Sequence, residues 1–467
     1  MNELDWMTLR EMREAFAART LSPLEVAHHA LERIERLDPQ LNAFVTVDAP
    51  EVMAQARRAE QALFDDGVLA PLHGIPISIK DSIPTRGLRT TWGSLLYADL
   101  VPSRDATLVA RLRRAGAIIL GKTNVPEFQV VGRTRNRLMR ESFNPWDIRR
   151  SAGGSSGGSA ASVAAGINPA SIGGDDGGSI RLPAAYCGIF GLCPSAGRVP
   201  RIALPPEGGY PGFVFQNVGP MTRDVRDAAT ILQIIAGPDD EDPYAMAAPP
   251  ADWLASIESG VGAMKLGWVT FPAARVEPDV ERLARAAART LEALGARMED
   301  AGEAIQVPGE QLGAIVVAYL ADWFEAIAAD PARRQRLAPY TQEFLAAGRP
   351  GIGQERAAWR ARSALIARCN ALFERFDALL TPTTGRVAPQ VQDAWDLPHP
   401  TQEYAAATIF VNATGLTAAS VPCGFVDGMP AGLQIIARRG GEETVLRIAR
   451  ALEQAQPWAA RRPGLAS

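Results

Sequence analysis

The chain has 467 residues, 47% of them hydrophobic and 21% charged, with a formal net charge of -4. This balance fits a folded globular protein with a sizeable core and excludes a disordered or fibrous chain. Net acidity offers no face for nucleic acid, and four cysteines without a CxxC pair exclude a disulfide scaffold.

In chain order, the N-terminus MNELDWMTLREMREAF carries acids and no apolar signal-peptide core. Leu9, Met12 and Phe16 are spaced for one helix face, and Ser22-Pro23 opens a second helix as N-cap and first-turn proline. Short β-rich runs follow at Ile75–Ile79, Ala117–Leu120, Leu266–Val269, Ala378–Leu380, Ser420–Phe425 and Leu433–Ala437, separated by helical patterns. Such alternation predicts an α/β fold, a sheet covered by helices. Arg133, Arg135, Arg137 and Arg140 read as a solvated or salt-bridged loop. A helix after Thr222 ends at Gly237-Pro238, and an acidic, proline-rich crossover runs to about Trp253. Leu283, Ala287, Leu291 and Leu294 mark another amphipathic helix. Residues 308 to 375 read as helical, with Tyr319, Trp323 and Phe324 either covering a site and touching substrate or simply packing in the core. The longest uncharged apolar run, Leu312 to Ala321, is too short to span a bilayer. Cys187 and Cys193 lie in an apolar stretch and read as buried thiols, which suits a cytoplasmic protein.

The chemistry concentrates in residues 151–183, where two Gly/Ser clusters flank an alanine-rich, helix-compatible run. Glycine-rich backbone can approach a ligand closely and aim N–H groups at an anion. Neither GxxxxGK[ST] nor a well-placed GxGxxG is present, so a nucleotide cradle does not fit. A serine nucleophile needs a base. The four histidines (His28, His29, His73, His399) are poorly placed for one, His73 reading as a packing or turn residue, and no GxSxG elbow occurs. Lysine serves as base where burial keeps it neutral, and Lys80 closes the apolar run Ile75–Ile79. There is no HExxH or comparable metal-ligand cluster, so neither metal nor cofactor is expected.

Three blocks, LHGIPISIKD, NPWDIRRSAGGSSGGSA and GGDDGGSIRLPAAYCGIFGLCPS, resemble the linked blocks of the amidase-signature family. Lys80 and Ser155 are 75 residues apart and Ser155 and Ser179 are 24 apart, as in that family. TTWGS at 90–94, GPMTRDV at 219–225, DALLTPTT at 377–384, VPCGF and AGLQII are also similar to it. The resemblance implies a single domain over residues 1–467 built on a large mixed sheet with helices on both faces. Its catalytic core would span about 70–240, its helical cover about 280–375, and its completing C-terminal strands about 376–440. It further implies Ser179 as nucleophile, Ser155 as bridging serine after a cis Gly154–Ser155 peptide, and Lys80 as base. The N–H groups of Asp176, Gly177, Gly178 and Ser179 would form the oxyanion hole. The implied activity is hydrolysis of amides, with aryl amides, carbamates and esters as variants. The alternative is the A-type component of a glutamine-dependent amidotransferase, working inside a complex. The expected partner is a small-molecule amide, with a homodimer as the expected assembly of the hydrolase, and neither nucleic acid nor membrane.

Two positions depart from the family. Asp176 puts a carboxylate where members commonly have a small or apolar side chain, and it is expected to turn from the oxyanion or to bind a polar group of the substrate. Leu182 stands where the A-type amidotransferase components usually carry glutamine, which weakens that alternative.

Overall fold

A computed structural model describes residues 3–65, 70–201, 214–391 and 407–466. His399 lies outside them. The first two helices begin where the capping residues direct. Thr8 caps Leu9–Ala17 and Ser22 caps Pro23–Leu41, each with the glutamate three residues on (Glu11, Glu25) closing a capping box, and Pro23 sits in the first turn.

The strands are β1 (Phe44–Thr46), β2 (Pro76–Lys80), β3 (Ile118–Thr123), β4 (Phe143–Asn144), β5 (Asp147–Ser151), β6 (Ala170–Asp175), β7 (Phe190–Cys193), β8 (Asn217–Thr222), β9 (Lys265–Thr270), β10 (Arg297–Ala304), β11 (Ala378–Pro382), β12 (Thr417–Val426) and β13 (Met429–Ala437). Among the described residues β4 and β5 form a separate ribbon. The other eleven make one mixed sheet in the order β1-β3-β2-β6-β8-β7-β12-β13-β11-β9-β10. β2 runs parallel to both β3 and β6, and β9 parallel to both β10 and β11; the remaining pairs are antiparallel. The C-terminal strands enter the same sheet through β7–β12, where Ala418 faces Cys193.

Alternation along central strands shows helices on both faces. In β3, Ile119 joins one hydrophobic cluster with Leu112, Val225 and Ile448, while Ile118 and Leu120 join another with Val163 and Ala184. In β11, Leu379 and Leu380 divide in the same way. The helix after Thr222 spans Val225–Ile235 and the later amphipathic one Pro278–Ala293. Leu294 departs from the expected apolar face: it is the C-cap residue before Gly295 and is exposed.

The helical segment comprises Gly309–Ala328, Pro331–Gln335, Pro339–Ala346 and Ile352–Arg375. It is fastened to the loop at 126–137. Tyr340 Oη accepts from Glu127 N (2.7 Å) and donates to Arg135 O (2.8 Å), while Glu127 Oε2 accepts from Ala338 N at 2.6 Å. Arg137 donates to the carbonyls of Gln335 and Leu337, and Arg133 pairs with Glu141. The arginine run is thus salt-bridged at Arg133 and exposed at Arg137 and Arg140, with Arg137 tying the loop to the cover. No described helix is long and apolar enough to cross a membrane.

Candidate active site

Lys80 is the last residue of β2. Parallel neighbours on both sides leave all five residues of that strand buried, and Lys80 has no exposed surface. Parallel strands open their carboxyl ends to ligands, and β6 ends beside Lys80 at Gly174 and Asp175. Lys80 Nζ donates to Ser155 Oγ at 2.7 Å and to Gly174 O at 3.0 Å. Burial pulls the Lys80 ammonium down to about 7, against the opposing charges of Asp176 and Asp175. The base expected from the sequence therefore lies in direct contact with the serine expected to bridge.

Ser155 follows a cis Gly154–Ser155 peptide and precedes the helix Gly157–Ala164. The adjacent Ser156 ties the two serine-bearing loops together. Its hydroxyl donates to Gly174 O (3.1 Å), and its N–H donates to Ser179 O (3.1 Å). Ser179 is half-buried and follows Gly178, whose φ of 123° only glycine adopts readily. A Cβ on Gly178 would also collide with Thr408 Oγ1.

Four backbone N–H groups were expected at the oxyanion. One of them is taken: Gly178 N donates to Asp175 Oδ1 at 2.6 Å. Among the described residues the N–H groups of Asp176, Gly177 and Ser179 donate to no protein acceptor, which leaves those three for a ligand.

The two aspartates have opposite surroundings. Asp175 is fully buried and also accepts from Ile180 N, from Arg181 Nε (3.0 Å) and Nη2 (2.9 Å), and from Asn412 Nδ2 (3.0 Å). Burial alone would raise its carboxyl. The Arg181 charge and these hydrogen bonds outweigh that and bring it to about 2. Arg181, equally buried, also reaches Asn412 Oδ1 and Gln434 Oε1. Asp176 has an Oδ1 with neither exposed surface nor a hydrogen bond. Burial raises its carboxyl, partly offset by Lys80. The Asp175–Arg181–Asn412 network is one that the sequence reading missed. The signal was present in Arg181, a cation in an otherwise small and apolar stretch, which requires a buried counter-charge.

Trp323 and Phe324 pack against Trp92 and Phe128, with Phe324 wholly enclosed. Of the three candidate substrate contacts, Tyr319 alone keeps appreciable exposure, and burial followed by the Asp176 carboxylate pushes its phenol up. Leu182 packs with Tyr186, Ala388 and Met429 and lies against Gly153. His28 and His29 lie on the helix Pro23–Leu41, and His73 Nε2 meets Ala59 O at 2.9 Å. Among the described residues no group of three His, Cys, Asp or Glu side chains is placed to hold a metal.

Comparison with known proteins places this geometry. The chain matches the Amidase family over residues 25–446. It is 37% identical to the A-type subunit of glutamyl-tRNA(Gln) amidotransferase from Roseiflexus castenholzii (strain DSM 13941 / HLO8), over 99% of this chain and 98% of that one. Among solved structures, a bacterial aryl acylamidase belonging to the amidase-signature enzymes superposes with a TM-score of 0.90 at 28% identity, covering 98% of each chain. The corresponding A-type subunit from Thermotoga maritima gives 0.80 at 31% identity, covering 97% of this chain and 96% of that one. With sequence and fold agreeing over almost the full length, the chain belongs to the amidase-signature family.

Proposed function

We propose that the protein hydrolyses small-molecule amides through an acyl-enzyme on Ser179. The observation that carries this reading is the 2.7 Å contact between Ser155 Oγ and a wholly buried Lys80 whose pKa lies near 7. Neutral Lys80 takes the proton of Ser155, and Ser155 takes that of Ser179, as Ser179 Oγ forms its bond to the carbonyl carbon. The oxyanion is met by the free N–H groups of Asp176, Gly177 and Ser179. As the C–N bond breaks, Ser155 returns a proton to the departing nitrogen. Water then attacks the ester by the reverse relay and releases the acid and Ser179. Carbamates and esters fit the same machinery. Four buried, unpaired cysteines suit a reducing cytoplasm.

A second reading, the A-type component of an amidotransferase complex, is favoured by the identity to proteins of that kind. The two separate in one experiment. Purified protein is offered anilides, primary amides, carbamates and esters, and its intact mass is read after brief exposure. Turnover of hydrophobic amides with an acyl adduct on Ser179 supports the hydrolase. Activity appearing only with added amidotransferase components and a glutamine donor supports the second reading, and an active Ser179→Ala protein excludes both.

A further inference from the structure

Asp175 and Asp176 adjoin in the chain, yet only Asp175 is matched by donors. Asp176 Oδ1 is cut off from solvent and receives no hydrogen bond. Asp81, Glu141 and Glu442 also have one buried oxygen without a hydrogen bond, but each of those carboxylates is held through its other oxygen, whereas Asp176 accepts no hydrogen bond among the described residues. Lys80 does not fill the gap, since it donates to Ser155 Oγ and Gly174 O, and no ion pair joins it to Asp176 among the described residues. Arg181 is engaged by Asp175. The local negative charge is therefore the one on Asp176. Its own N–H is among the three groups left for the substrate oxygen, so the side chain starts from backbone that would meet the substrate. Tyr319, half-buried on the helix Gly309–Ala328, feels the same carboxylate.

We infer that Asp176 is a specificity residue whose carboxylate receives an amino group on the substrate carbon next to the scissile carbonyl, with Tyr319 lining that subsite. The inference rests on the hydrolytic reading and narrows it: amides bearing an α-amino group are selected over their des-amino counterparts. A carboxylate offset only in part by the Lys80 charge, with no hydrogen-bond donor from the protein on Oδ1, favours a cationic donor over a neutral one.

Two probe pairs test this. Alanine p-nitroanilide and propionyl p-nitroanilide differ only in the amino group and are compared by kcat/KM. Alaninamide and propionamide are compared by calorimetric binding to Ser179→Ala protein. The amino member is expected to win each pair by about tenfold or more, equivalent to about 1.4 kcal/mol. Asp176→Asn should bring both ratios close to one, and Asp176→Glu, which keeps the charge, should retain part of the preference. Using ratios removes any general loss of rate or folding from the comparison. Ratios near one in the parent protein, or unchanged in Asp176→Asn, overturn the inference. If neither anilide is turned over and Ser179 forms no adduct, the hydrolytic reading fails, while the binding pair still decides the subsite.

Discussion

Lys80 Nζ donates a hydrogen bond to Ser155 Oγ at 2.7 Å, and neither side chain has exposed surface. In that enclosure the ammonium loses hydration, so burial favours the neutral amine that the proposed relay needs. Activity should follow the unprotonated fraction. As pH rises through about 7, Lys80 loses its proton and kcat/KM should climb, then level off in mildly alkaline buffer. Lys80→Ala should lower kcat/KM about 10²–10⁴-fold, the usual contribution of a positioned proton-transfer group. Lys80→Arg should fail nearly as badly, because guanidinium keeps its proton. Profiles from pH 5 to 10, with circular dichroism to verify folding, check this. A folded Lys80→Arg protein with parental activity would remove Lys80 from the mechanism.

The Asp175–Arg181 pair should matter for stability before it matters for chemistry. Both side chains are fully buried, and removing one partner strands the other's charge, a loss of about 3–5 kcal/mol for such pairs. Asp175→Asn and Arg181→Met should each lower the urea midpoint strongly, and the double variant should be less destabilised than the sum. The Asp175 carboxyl is depressed in the folded protein to about 2. Its stabilisation is therefore complete above the unfolded pKa of about 4 and disappears as pH falls from there towards 2. The parent should lose stability across that window, and Asp175→Asn should lose less.

Gly178→Ala should damage both activity and stability. The backbone there has φ 123°, and an added Cβ would meet Thr408 Oγ1. Backbone strain alone predicts a loss of about 1–3 kcal/mol, and the shift needed to relieve the clash displaces the neighbouring Ser179. Thermal unfolding and kcat together check this. An alanine variant with parental values of both would show that the loop adapts freely.

The aromatic residues of the helical cover divide by role. Phe324 is enclosed against Phe128 and Trp323, so Phe324→Ala should cost about 3–5 kcal/mol of stability. Tyr319→Phe should leave the melting temperature nearly unchanged and raise KM, because Tyr319 sits by Asp176 with part of its surface open. Equal effects on melting from the two variants would contradict this division.

Much of the sheet is legible in the sequence where strands are apolar and bounded. Ile75–Ile79 overlaps β2, and Leu266–Val269, Ala378–Leu380 and Leu433–Ala437 fall within strands. Among the strands missed, β6, β8 and β10 have compositions set by their surroundings. β6 carries Gly173 and Gly174 because a side chain at Gly173 would collide with Met221 and Ile180, and one at Gly174 would crowd Gln129 Oε1 and touch Lys80. Those glycines erase strand propensity at the point where the site requires close approach. β8 contains Gly219 and Pro220, and the edge strand β10 is charged, as edges often are. Within the site, block spacing singles out Lys80, Ser155 and Ser179, and the structure brings Lys80 and Ser155 into contact. The separate fates of Asp175 and Asp176 are not. Two adjacent aspartates look alike until Arg181 folds onto one of them together with Asn412, which lies 231 residues beyond that arginine.

The fastening of Tyr340, Ala338 and the Gln335 and Leu337 carbonyls to the loop at 126–137 bears on how such a protein diversifies. A cover that merely rested on the catalytic strands would be a cassette, exchangeable among relatives to install a new substrate preference. Here the cover supplies the acceptor for Glu127 N and a donor to its carboxylate, and that loop continues to Gln129, whose side chain receives the Ser82 hydroxyl two residues beyond Lys80. Grafting a foreign helical segment across 309–375 would remove those partners and disturb the ground on which Lys80 stands. New specificity in this scaffold should therefore come through single residues such as Tyr319, with wholesale transplants losing turnover along with the old preference.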